Sequence, residues 1–182
     1  MRRFLLHSIV FVCSLLVPAA ASAQRVPATD SGAIGGDVGV FVPSSDELDS
    51  SLALEGFYEY YFTPRASVRT GLGWTNPSFS RGNDDHLRLF RVAVDGVYNW
   101  EGGAIHPFAG AGLGIYFLQP TDNGESVEDS ETQPGVSLFG GFEYFTSRTT
   151  AIKAEARYHL VGDAFGLNPD GLALTIGVKM YF

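Results

Sequence analysis

Cysteine is almost missing from this chain of 182 residues: the single one, Cys13, sits in an apolar leader, so no disulfide framework holds the remainder together. Long apolar runs are missing too. After residue 23 no stretch approaches the roughly 20 residues a membrane helix needs, which excludes helical spans. Basic charge is scarce: 12 Lys and Arg stand against 20 Asp and Glu, a balance that argues against nucleic acid as a partner.

The first 23 residues read as a secretory signal peptide. Arg2 and Arg3 form a basic start, 4–17 an apolar run, and Ala21-Ser22-Ala23 a small-residue cleavage site before Gln24. Cys13 follows Val12 rather than a small residue, which argues against lipidation. Cleavage removes two basic side chains and no acidic one, leaving ten against twenty. Residues 24–32 are then a periplasmic lead, and 33–182 form one domain.

An exported chain without an apolar helix enters a bilayer only as a closed β-barrel, because each backbone amide in hydrocarbon needs a partner within the protein. Strand periodicity is what the sequence displays. Apolar side chains alternate with small or polar ones over residues 33–42, 51–62, 65–75, 87–100, 107–118, 135–145, 150–161 and 171–182. These eight segments exceed ordinary soluble strands and suit a tilted bilayer crossing. Short connections at 63–64, 101–105 and 146–149 alternate with longer ones at 43–50, 76–86, 119–134 and 162–170. The expectation is an all-β, eight-stranded, antiparallel up-and-down transmembrane barrel in the bacterial outer membrane, with both termini periplasmic.

The aromatic side chains carry an independent signal. Tyr60, Phe62, Tyr98, Trp100, Phe142, Tyr144 and Phe182 fall on the apolar face near the short turns, with Trp74 and Phe117 on that face at the other rim. Such girdles mark the two membrane interfaces. Polarity then separates a membrane barrel from a soluble one. The lumen of eight strands is narrow, so the face rich in glycine and small residues is expected inside, and the bulky apolar face outside. Asp37, Glu55, Glu59, Asp95, Glu143 and Glu155 then share the lumen with Arg69, Arg91, Lys153, Arg157, Lys179 and His159. Buried charges persist only when paired, so these side chains are expected to form an internal ionic plug.

Other constellations are weaker. Glu155, Arg157 and His159 project from one strand, but a salt-bridge cluster explains them as well as catalysis does. A His-x-Ser pair of the kind found in lipid A deacylase barrels is missing, since Val161 lies two positions after His159. Asp84, Asp85 and His86, or Asp122, Glu125, Glu128, Asp129 and Glu131, are candidate oxygen-rich ligands for divalent cations, without EF-hand spacing. Arg88, outward near the upper rim, is placed to reach a lipid phosphate. No cofactor motif is present: Gly110-Ala-Gly-Leu-Gly114 lies within a strand rather than before a helix.

Two segments resemble a known group, the small outer-membrane barrels of the OmpA transmembrane-domain and OmpX type. The ending Leu172-Ala-Leu-Thr-Ile-Gly-Val-Lys-Met-Tyr-Phe182 is similar to their terminal assembly signal, with Leu172, Leu174, Ile176, Val178, Met180 and Phe182 on one face. Pro107-Phe-Ala-Gly-Ala-Gly-Leu-Gly114 resembles their mid-barrel strand. The resemblance implies insertion by the outer-membrane assembly machinery through the last strand, and contact with outer-membrane lipids and lipopolysaccharide. It is a resemblance of architecture, and ending at Phe182 the sequence shows no peptidoglycan-binding domain. The functional expectation is a non-enzymatic, monomeric barrel serving envelope integrity or surface interaction, with a narrow channel for small or apolar solutes as the second reading and a lipid-modifying enzyme as the third.

Overall fold

The computed structural model describes residues 27–80, 85–122, 125–126 and 130–182. The proposed signal peptide and residues 24–26 of the lead lie outside them, as do Asp84, Glu128 and Asp129. The strands are β1 (Ser31–Pro43), β2 (Ser51–Tyr61), β3 (Ala66–Thr75), β4 (Asp85–Asn99), β5 (Ile105–Asp122), the two-residue β6 (Glu125–Ser126), β7 (Glu131–Phe145), β8 (Thr150–Val161) and β9 (Gly171–Tyr181). Each long strand pairs antiparallel with the next, and β1 pairs with β9, which closes eight strands into a barrel. At the seam Gly32 and Phe182 exchange two backbone hydrogen bonds of 2.9 Å.

Alternation explains which side faces lipid. Leu113, Leu138 and Ile176 are 70%, 60% and 56% exposed on the outer wall. So continuous an apolar surface is untenable in water and is what a bilayer demands. At one end the connections are tight. Thr63 Oγ1 accepts from the backbone N–H of Arg65 and Ala66, and Ser147 Oγ accepts from Thr149 N–H. At the other end the connections are longer, and they fold onto one another. Asp49 N–H donates to Ser78 O, Ser80 N–H donates to Glu47 O, and Leu48 pairs with Phe79. The connection between β8 and β9 turns at Phe165 and Gly166, both at positive φ, between the mutually bonded Ala164 and Leu167. Two central residues at positive φ make a tight hairpin turn that strains a non-glycine residue such as Phe165.

The strands outrun the sequence expectation. Residues 119–134 were expected as a long loop, but β5 continues to Asp122, β7 begins at Glu131, and β6 pairs between them. Ser31 and Gly32, assigned by sequence to the lead, already belong to β1, and Asp85 and His86 belong to β4. Beyond the bilayer a strand keeps its ladder but loses the apolar half of its alternation, so its sequence looks like a loop.

The inner wall also departs from expectation. It is not simply small: Phe41, Phe57, Phe108, Phe139, Phe145, Tyr61, Tyr116 and Tyr181 all point inward and are buried. Glycine makes the room. A methyl group on Gly35 would collide with the ring of Phe57, its directly opposed neighbour on β2, and one on Gly141 would meet first the backbone carbonyl of Ala154 and then the ring of Phe108. The lumen is filled by rings lying over bare backbone, the pairing that lets an aromatic rescue a glycine in a sheet.

This complementarity is testable. Replacing Gly35 by Val is expected to destabilise the refolded barrel by about 1–3 kcal/mol through overpacking. Because the three atoms nearest that position all belong to the Phe57 ring, adding Phe57→Ala should recover part of the loss in urea unfolding. A double variant no better than the single one would show that the clash lies elsewhere.

A charged and aromatic lumen as the candidate functional site

The lumen is layered. At the short-turn end Tyr61, Tyr181, Phe145, Ala33 and Ala151 pack into a buried apolar floor. Lys179 stands on it and donates to Glu59 and Glu143 at 2.8 Å each and to Tyr61 Oη at 2.7 Å, while Tyr181 Oη donates to Glu143. One layer further, Arg69 spans the lumen, with Nε 2.9 Å from Glu59 and Nη1 2.7 Å from Glu155. Lys153 links Glu155 at 2.8 Å to Asp37 at 2.6 Å. Above these, Arg157 reaches Glu155 and Asp95 at 2.9 Å each and donates to Ser137 Oγ, and Arg91 pairs with Glu55 at 2.8 Å. All six acids thus touch at least one of the five bases.

Aromatic rings separate the cations. The Arg69 guanidinium lies 4.7 Å from the Phe57 centroid and 5.3 Å from that of Phe139, Lys153 Nζ lies 4.5 Å from Phe57, and the Arg157 guanidinium 3.9 Å from Phe139. A ring face attracts a desolvated cation by about 2 kcal/mol, which offsets part of its lost hydration. Sequence reading left Phe139 unassigned. Its parity with Ser137 and Gly141 was the available signal, since residues two apart on a strand share a face.

His159 lies beyond the ionic layers, its Nδ1 2.9 Å from Tyr116 Oη. Ser137 is its opposed neighbour on β7, yet Ser137 Oγ is held by Arg157. Glu155, Arg157 and His159 therefore divide between a salt-bridge network and a tyrosine contact, and the serine and imidazole do not couple. Beside His159, Arg91, Glu55 and Tyr116 line a cavity of about 40 Å³, room for about three waters at about 10–15 Å³ each. Among the described residues no three His, Cys, Asp or Glu side chains gather as a metal site, Asp85, His86 and Glu131 included.

A lid covers the cavity. Leu87 and Leu89 from β4, Tyr116 and Leu118 from β5 and Val161 from β8 point inward, and the connecting segments add Leu48 and Ala164, with Phe79 and Phe165 packed against them. Sequence reading did not foresee it, although Leu87 and Leu89 share the parity of Arg91 and Asp95. On the outer wall, the side chains expected as girdles lie where alternation puts them: Phe62, Tyr98, Trp100, Phe142 and Phe182 are exposed near the turns, with Tyr60 and Tyr144 partly so. Tyr98 packs edge-on against Trp100, and Tyr60 against Phe62. Phe117 and Trp74 sit at the other rim, and Leu174, Ile176, Val178, Met180 and Phe182 line the exposed face of the last strand, with Leu172 half-buried at its start.

A closed eight-stranded cylinder, apolar without and ionic within, is one architecture among known membrane proteins. The sequence profile of the outer membrane protein beta-barrel domain matches residues 9–182. The chain belongs to that family. This outer-membrane barrel is similar in fold to several solved structures. Neisserial surface protein A matches with a TM-score of 0.68 and 16% identity, over 86% of this chain and 100% of that one. OprG from Pseudomonas aeruginosa gives 0.68 and 14%, over 88% and 99%. Ail, the attachment invasion locus protein of Yersinia pestis, gives 0.57 and 15%, over 86% and 100%. A search of curated protein sequences finds no significant match. The protein is thus a small β-barrel of the bacterial outer membrane.

Arg157 is the sharpest probe of the network. Truncating it to Ala leaves Asp95 and Glu155 short of a cation in a buried, low-dielectric lumen, at an expected cost of about 3–5 kcal/mol. Arg65, paired with Glu101 at 3.4 Å on the exposed turns, is expected to cost within about 1 kcal/mol when truncated. The temperature at which the barrel loses its heat-modifiable gel mobility should fall clearly for Arg157→Ala and hardly for Arg65→Ala. Equal shifts would contradict a stabilising lumen.

Proposed function

We propose that this protein is a non-enzymatic, monomeric outer-membrane barrel whose plugged lumen serves as a rigid support for surface segments, contributing to envelope integrity or surface interaction. The observation that carries this reading is the continuous ion-pair network from Lys179 through Arg69 and Lys153 to Arg157, capped by the apolar lid. Solute passage would have to break several paired charges, each costing several kcal/mol to leave alone in low dielectric. In this reading both termini face the periplasm, the long connections face outward, and the last strand carries the assembly signal.

The connections are acidic: Asp46, Glu47, Asp49, Asp163 and Asp170 lie in them. Ail has been crystallised with the heparin analogue sucrose octasulfate. A polyanion of that kind would be repelled by these carboxylates, so contact with cationic or metal-bridged partners suits this surface better, and would weaken with salt. The cavity beside Arg91 and His159 favours the second reading, a narrow channel for small or apolar solutes, because it already holds space beneath the lid.

Planar bilayers separate the two. The intact barrel is expected to leave the membrane silent, and steady openings of uniform size would replace the plugged reading with the channel. The mass profile of lipid A from cells with and without the protein is expected to be identical; a changed acyl pattern would make it an enzyme.

A further inference from the structure

The charges sealed in the lumen do not balance. Six carboxylates meet five Lys and Arg side chains, so one negative charge is left over. The two buried imidazoles do not make up the difference: His159 Nδ1 contacts Tyr116 Oη, and His106 Nε2 contacts Gly103 O at the short-turn end. His159 also shares its cavity with Arg91, where a second cation is repelled. A lone charge enclosed by floor, lid and hydrocarbon is too costly to keep, and a carboxylate so placed takes up a proton.

Hydrogen bonding identifies the carboxylate. Glu59 accepts from Ser67, Arg69 and Lys179, Glu143 from Lys179 and Tyr181, and Glu155 from three cations. Asp95 is held by Arg157. Asp37 differs. Its side chain is fully buried, and among the described residues Lys153 is the one cation that approaches it, at 2.6 Å, while also serving Glu155. Neither Asp37 oxygen receives a hydrogen bond. Directly opposite on β2 stands Glu55, whose Oε1 also lacks a partner. Opposed side chains on a ladder have Cβ atoms about 4.5–5.5 Å apart, near enough for two carboxylates to repel unless a proton lies between them.

The surrounding elements leave the pair to itself. Arg91 of β4 takes Glu55 Oε2 at 2.8 Å, and Arg157 of β8 stays 3.7 Å from Oε1. Strands β3 and β9 oppose the pair with Gly73 and Gly177, and a methyl group on Gly177 would strike Asp37 Oδ1. Tyr116 of β5 and His159 of β8 line the same cavity as Glu55.

We propose that Asp37 and Glu55 form a proton-binding site, with one proton carried by Asp37 and donated toward Glu55 Oε1, which neutralises the plug and makes it responsive to pH. The site rests on the plugged reading, since an open, wet lumen would screen both carboxylates. An unfolded aspartate is ionised above a pH of about 4. Above it the folded barrel holds one proton more than the unfolded chain, so it loses stability as pH rises through the titration of the pair and regains it on return. Losing the proton restores the surplus negative charge beside the cavity under the lid.

The test is the infrared spectrum of the intact barrel in an ester-free detergent at neutral pH, where a protonated carboxyl shows a carbonyl band that carboxylates lack. The wild type is expected to show one, moved by isotope labelling of aspartate carboxyls and not of glutamate carboxyls. Asp37→Asn should erase it. Glu55→Gln should erase it too, because the remaining lumen charges then balance without a proton, whereas Glu101→Gln on the exposed turns should leave it. Heat-modifiable mobility checks folding and supplies a second readout. As pH rises from neutral to alkaline, the wild type should lose stability relative to Asp37→Asn, a difference in which titrating groups common to both cancel. Should either lumen variant not fold, the wild-type band, its labelling and its loss at alkaline pH decide alone. No band at neutral pH, or one moved by glutamate labelling, overturns the site. So does a missing band with stability that tracks sodium or potassium concentration, the mark of a metal cation in place of the proton. A silent planar bilayer without the band removes the proton site and leaves the proposed function intact.

Discussion

Hydrocarbon offers a peptide group nothing to bond with, and every other feature of this barrel follows from that constraint. It forces β1 to find β9, and the eleven paired positions from Ala33 with Tyr181 to Pro43 with Gly171 leave no open edge. Eight strands enclose a narrow cylinder, and a narrow cylinder in a membrane has to be filled from its own wall. The filling is economical: glycines on one strand admit rings from the next, as Gly35 admits Phe57 and Gly141 admits Phe108. The rings in turn provide faces on which Arg69, Lys153 and Arg157 rest.

The charges are therefore held by geometry at both ends. The floor of Tyr61, Tyr181 and Phe145 and the lid around Leu48, Leu89 and Leu118 close the ionic layers off from bulk solvent, leaving only the small cavity beside Arg91 and Glu55. A low-dielectric interior strengthens each attraction and raises the penalty on any charge left alone. Glu155 illustrates the result, since three cations from β3 and β8 converge on one carboxylate. Such a centre ties the far wall to the near one, where an apolar filling would give only contact.

Much of this was legible in the residues, because a strand has only two faces and the polarity of each is written at every second position. Asp37, Lys153 and Arg157 declare the inner face of β1 and β8 without a coordinate, and Leu113 and Ile176 declare the outer. What alternation cannot tell is where hydrocarbon ends. Past Leu118 the outward positions turn polar, and β5 and β7 read as loop although their ladder continues. Nor does parity reveal depth. Leu87 and Leu89 sit on the same face as Asp95, but their place in a lid depends on Leu48 and Ala164 arriving from segments far along the chain. The Phe165-Gly166 turn escaped because phenylalanine seldom takes positive φ, and its ring there is held by the lid it helps to build.

The seam between Gly32 and Phe182 joins the most distant parts of the barrel. Contacts of such long sequence separation are slow to form, since a long loop must close before they return anything. Until they do, the growing sheet carries two raw margins able to adhere to any neighbouring chain. A protein wired in this way is vulnerable for the whole interval before its first and last ribbons meet, because until the circle is complete both of its raw margins stay open.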